Sequence, residues 1–205
     1  HGMAPFEYAL QVAEETNLPM MVHIDEPPPS YQRVVERLRP GDVLTHCFRP
    51  FPNTPVTSDQ RVRPEVLAAR QRGVFFDVGH GMGSFSFKVA RIMLANGFYP
   101  DTISSDIHAL CINGPAFDQV TTLSKFLNLG MPFKEVIRAS TQNAALTLSR
   151  PGLGSLRPGA AGDAAVLSVD DCEFDYFDTV GEKLIGERKI NVRGVVLGGK
   201  WWHPA

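Results

Sequence analysis

Three histidines and one aspartate stand where short apolar runs end. His23 falls in "MMVHI" (20–24), His46 in "VLTHC" (43–47), His80 after "VFFDVG" (74–79), and Asp106 at the close of "TISSD" (102–106). Imidazole and carboxylate are ligands that suit zinc, manganese or iron. A divalent ion with a carboxylate beside it can drive hydrolysis, because the ion acidifies water and the carboxylate moves the proton. A lone histidine in a strand is ordinarily a hydrogen-bonded core or loop residue. Three histidines and an aspartate at four matching positions point instead to function, most clearly for His23, His46 and Asp106.

Other candidates carry a blander reading beside the functional one. Asp106 follows two serines and could cap a turn, and His108, two residues on, could belong to the site or to the loop. Asp25 and Glu26 precede a proline run and read as loop charges, while His1 and His203 lie near the chain ends. Adjacent side chains of a strand face opposite ways. If His46 faces the site, Cys47 faces the packed layer, so it reads as core and not as a nucleophile.

The elements that must position these residues form a rhythm. Each apolar run is followed by a loop and then by a segment of helical period. In "SYQRVVERLR" Val34, Val35 and Leu38 share a face; "PEVLAARQRG" offers Val66 and Leu67; "FKVARIMLANG" and "AFDQVTTLSKFLNLG" follow. Glycines 73, 97 and 130 sit where left-handed helix caps belong. "PFEYALQVAEETN" reads as a helix ahead of the first run. Repeated strand–helix units imply a parallel sheet, and in a parallel barrel the carboxyl ends of the strands share the face where chemistry occurs. After about residue 150 the character changes. "AAVLSV" reads as a short buried strand, "INVRGVVLGGKWWHP" alternates, and "LGGK" reads as a hairpin turn, together a small β unit. The expected division is 1–150 and 151–205. The 48–64 loop has 17 residues and four prolines; so long a loop after a strand end reads as functional.

Composition bounds the partners. The 205 residues are 43% apolar and 20% charged with formal net charge −2, enough for a packed core. That charge gives no reason to expect nucleic acid or an anionic membrane. No apolar run reaches the roughly 18 residues of a membrane-spanning helix, and "HGMAPFEYAL" lacks the marks of a signal peptide. Three scattered cysteines suit a reducing cytoplasm.

Taken in order, "PMMVHIDEPP", "GDVLTHCF", "VFFDVGHGMGSFSF", "TISSDIHA", "STQNAALTL" and "GSLRPGAAGDAAVL" resemble the metal-dependent amidohydrolase superfamily, in its dihydroorotase-like and deacetylase-like branch. The resemblance implies the C-terminal half of a (β/α)8 TIM barrel, strands five to eight, followed by part of a small β-sandwich. His23 and His46 would then hold the more exposed metal. Asp106 would ligate the buried one and carry a proton. His80 and Gly81 would contact substrate, with Arg49 and His108 as further substrate-binding candidates; an arginine fork suits a carboxylate. The implied cofactor is a divalent metal, zinc first, with one or two per complete site. The implied substrate is a small molecule bearing an N-acyl or O-acetyl group.

The sequence also departs from that pattern. It has no His-x-His pair, and its first lysine is Lys88, so no bridging lysine precedes His23. A whole barrel takes about 250 residues. The expectation is therefore a chain whose site is completed by a second copy or by a separate N-terminal half. A non-catalytic dihydropyrimidinase-like assembly protein is the alternative, and a module with one structural metal on His23 and His46 is a third reading.

Overall fold

The computed structural model describes residues 2–50 and 52–202, so His1, His203 and Phe51 of the proline-rich loop lie outside the described residues. The chain enters through α1 (Ala4–Thr16), with Pro5 in its first turn and left-handed Asn17, φ 54°, closing it. Proline is tolerated in a first turn because its missing N–H would have had no partner there. Strands β1 (Met21–Val22), β2 (Val43–Leu44) and β3 (Phe75–Phe76) then alternate with helices α2 (Tyr31–Val35), α3 (Pro64–Gln71) and α4 (Phe87–Ala95). The strands pair in parallel in the order β1-β2-β3, Met21 opposite Val43 and Val43 opposite Phe75. Buried Asp42 fixes the entry to this sheet. Its carboxylate accepts from Met20 N and Arg39 N, both at 2.8 Å, and pairs with the Arg39 guanidinium.

The "TISSD" segment lies beside β3 but forms only one bridge, Asp77 to Thr102. Backbone bonds continue from Val78 N to Thr102 O and from His80 N to Ser104 O. Gly81 N donates on to Ser105 O, but no strand forms here because Gly79 and Gly81, φ +49° and +52°, turn the facing backbone out of the extended region. Helix starts follow their caps: Ser30 accepts from Arg33 N and Asp118 from Thr121 N. One expected face differs. Helix α3 buries Val66 and Ala69 and leaves Leu67 44% exposed, since positions three apart share a helix face and adjacent ones do not.

Helices α5 (Gln119–Asn128), α6 (Phe133–Ser140) and α7 (Gln142–Thr147) lead to an antiparallel sheet of β4 (Ala164–Phe177), β5 (Lys183–Leu197) and β6 (Lys200–Trp202). The expected short buried strand is in fact the start of a 14-residue one, irregular in register at Val166/Leu167 and Asp171/Phe174. Most of it is exposed or half-buried, with Tyr176 its buried residue. Gly198 and Gly199, φ +57° and +75°, make the β5–β6 turn, as a two-residue hairpin requires. This sheet docks on α5: Ser124 Oγ accepts from Ile190 N at 2.9 Å, and Asn128 Oδ1 accepts from Glu187 N and Arg188 N. Tyr176 and Ile190 thereby join the same buried cluster as Val35, Phe76 and Phe126.

Candidate active site

His23 follows β1 directly and His46 lies two residues beyond β2. Their rings meet edge to face with centroids 4.5 Å apart. His46 Nδ1 lies 2.6 Å from Gly79 O. A carbonyl can only accept, so Nδ1 carries a hydrogen, and in the neutral ring Nε2 is the nitrogen with the lone pair. This is how ligating imidazoles are oriented. Burial and the neighbouring His46 hold His23 below the ordinary imidazole range, which keeps its lone pair free. Cys47, on the opposite side of the backbone, is fully buried in the core, and burial pushes its thiol well above the usual range.

The glycines around His80 give these groups room. A Cβ on Gly79 would overlap Thr45 Oγ1 and come within 2.7 Å of His46 Nδ1; on Gly81 it would come within 2.6 Å of Asp106 Oδ2. Asp106 and His46 themselves have φ of 48° and 61°, a left-handed conformation that costs a residue other than glycine roughly 1–2 kcal/mol. Both line a cleft of about 350 Å³ with Met21, Thr45, Asp77 and Ser104. Its floor is Asp77, buried, whose carboxylate accepts from Thr45 Oγ1 at 2.7 Å, Thr102 Oγ1 at 2.6 Å and Ser104 Oγ at 2.7 Å. Asp77 is absent from the sequence-derived candidates, although a carboxylate inside the apolar run "VFFDVG" was a usable signal.

His80 is fully buried and stacks on Phe85, which differs from the expected substrate contact, because no ring atom faces solvent. Its Nδ1 lies 3.0 Å from Gly81 O, and its Nε2 lies 2.7 Å from Lys125 Nζ. Lys125, buried in α5, also donates to Pro115 O and Phe177 O at 2.7 Å each. Three N–H bonds meet three acceptors. Burial lowers Lys125 to about 7, and burial followed by the Lys125 charge lowers His80 to about 3. Lys125 also escaped the sequence reading, since a single lysine on a helix ordinarily reads as surface.

Arg49 is buried, with Nη2 2.8 Å from Asp25 Oδ1. His108 is exposed, and its Nδ1 accepts from Leu110 N. His23 and Asp25 border a second cleft, of about 320 Å³.

The donor set fits a metal in part. Two adjacent imidazoles, one oriented by a carbonyl, suit a divalent ion. Among the described residues, however, no three His, Cys, Asp or Glu side chains assemble into a group that could hold one. The chemistry open to the arrangement is a two-imidazole ligand pair in which His46 shares its cleft with the Asp106 carboxylate and His23 borders the second one.

A sequence model of the "Amidohydrolase family" matches residues 82–202. Over 199 residues, 97% of this chain, the sequence is 35% identical to "Deacetylase Atu3266" of Agrobacterium fabrum, of which it covers 49%. The crystal structure of an adenine deaminase superposes with a TM-score of 0.95 at 30% identity, over 99% of this chain and 56% of that one. A dihydroorotase crystal structure gives 0.88 at 35% identity, over 98% and 52%. The chain thus has an α/β fold resembling these relatives and spans about half their length.

Proposed function

Because the chain belongs to the amidohydrolase family, we propose that it is part of a metal-dependent hydrolase of amide or ester bonds, of the N-acyl or O-acetyl kind, in small molecules. On this reading residues 1–150 correspond to strands five to eight of a (β/α)8 barrel and 151–205 to part of a β-sandwich. The rest of the site comes from a second copy or a separate N-terminal half, and a reducing cytoplasm suits the free cysteines Cys47, Cys111 and Cys172. Among the described residues no helix is long and apolar enough to cross a membrane.

The observation that carries the proposal is the His23–His46 pair beside a cleft that holds Asp106. His23 and His46 would hold the metal, zinc by preference, with Asp106 as a further ligand. Such an ion, when bound, supplies Lewis acidity toward water and the scissile carbonyl. Asp106 takes the proton from the attacking water at Oδ2 and returns it to the leaving nitrogen or oxygen. Gly81 holds that carboxylate in place by having no side chain. His80 and Lys125 position the glycine turn from behind, and Arg49 and His108 orient the substrate.

Metal content per purified chain, by elemental mass spectrometry, tests the proposal together with hydrolysis of acyl substrates. One or two equivalents in the native chain, lost in His23→Ala and His46→Ala, are expected. Asp106→Asn should keep metal on the imidazole pair and lose turnover by at least a hundredfold. The non-catalytic alternative draws support from the lack, among the described residues, of a three-ligand group; no metal and no turnover, even with a separately supplied N-terminal half, would establish it. Metal without turnover at any pH would favour the structural-metal module.

A further inference from the structure

The turn between β4 and β5 ends inside the first part of the chain, against the segment that follows the glycines around His80. Asp178, at its start, is buried, 3% exposed. One carboxylate oxygen, Oδ1, closes the turn on itself by accepting from Val180 N at 3.0 Å and Glu182 N at 2.8 Å. The other, Oδ2, reaches 91 residues back and accepts from Phe87 N at 2.9 Å. Phe87 opens α4, whose own N-cap residue, Ser86, gives no side-chain cap bond among the described residues. A carboxylate is a group that an open helix start favours, and here it comes from the other sheet. Thr179 serves Phe85 in a similar way. Its N and Oγ1 donate to Phe85 O at 3.1 and 2.7 Å, and its Oγ1 accepts from Phe85 N at 3.3 Å. Glu182 adds an ion pair with Arg91 of α4.

What this turn grips leads to both sides of the candidate site. Phe85 stacks on His80 with ring centroids 4.6 Å apart. Its backbone bridges Phe48, just beyond His46, and Ser86 N donates to Phe48 O at 3.0 Å. Lys125, whose nitrogen meets His80, also donates to Phe177 O at the foot of the turn. We propose that the β4–β5 turn is a positioning strap for the site, with Asp178 and Thr179 the residues that set where His80 and Gly81 stand. Phe85 and Phe87 are fully buried, so their backbone groups would lack partners if the turn withdrew. The stretch from Gly81 to Ser86 would then be held less firmly beside Asp106. The inference rests on the hydrolase reading above for its effect on turnover, but not for the strap itself.

The test is NMR of the 205-residue chain, with the amides of His80 and Gly81, bonded to Ser104 O and Ser105 O, as reporters. Thr179→Val keeps the shape of the side chain and removes the hydroxyl. Both reporter signals should move, and their hydrogen exchange should quicken about tenfold, the change a lost buried hydrogen bond gives. Thr179→Ser should restore both, and Asp178→Asn should act in the direction of Thr179→Val. Reporter signals that stay in place, whether or not the urea midpoint falls, mark a merely stabilising turn and overturn the proposal. If the variants fail to fold, native-state exchange of the unaltered chain across a urea series decides. The amides of Glu182, Phe87, His80 and Gly81 should open in one event short of global unfolding; a separate event for His80 and Gly81, or opening only with the whole chain, overturns the proposal. Where acyl substrates are hydrolysed, Thr179→Val should lower kcat with KM kept, and an unchanged kcat also overturns it. Moved signals in a chain that hydrolyses nothing leave the strap assigned and count against the hydrolase reading. Hydrolysis with unmoved signals does the reverse.

Discussion

Gly79 and Gly81 do different jobs two residues apart. A methyl at 79 would press on the imidazole of His46, and a methyl at 81 on the carboxylate of Asp106. Both positions also have positive φ, so alanine at either is strained whatever the space, costing roughly 1 kcal/mol or more. Gly79→Ala is expected to lower metal content, and Gly81→Ala to lower kcat with metal retained. Urea midpoints for both should fall by similar amounts, so metal analysis beside the unfolding curves separates the roles. Equal metal loss in both variants would contradict this division. At this scale the sequence is informative where a polar residue ends an apolar run, which is why His23, His46 and Asp106 can be found. It says that glycines permit a close approach but not to what; here the approaching groups are the protein's own side chains. Asp77 is concealed because its partners Thr45, Thr102 and Ser104 come from separate segments, and only folding brings them to one carboxylate.

One nitrogen of helix α5 binds three separate segments. Lys125 Nζ reaches His80 behind the glycine turn, Pro115 in the preceding loop and Phe177 at the end of β4. Its folded-state pKa of about 7 lies below the ordinary 10.5. Between those values the unfolded chain binds more protons, so this group makes stability rise with pH from about 7 and level off above about 10. The rise should be on the order of a few kcal/mol, and Lys125→Met should flatten it. Urea unfolding at pH 7 and at pH 9.5, for both proteins, gives the measurement; parallel pH slopes would refute the assignment. Parallel pairing of β1, β2 and β3 was legible from the spacing of apolar runs. The full length of β4 was not, because "DDCEFDYF" presents charges to solvent and offers little apolar run to follow.

The whole molecule is knit across the boundary that composition marks near residue 150. The sheet of β4, β5 and β6 shares its buried cluster with the helices of the first part through Tyr176 and Ile190, while α5 supplies hydrogen bonds from Ser124 and Asn128. Composition marks the change of architecture but is silent on this contact, since polar residues on α5 make it. Between α7 and β4 the chain runs mostly exposed, with glycines at 152, 154, 159 and 162. Connection and cohesion are therefore separate matters here. If a protease site is introduced at Ala160–Ala161 and cut, the two pieces should still elute together from a sizing column and part only in denaturant. Separation on cutting would show that the peptide link, not the shared core, keeps them together. A chain of this kind tolerates being made in two parts, because its halves recognise each other without the thread between them.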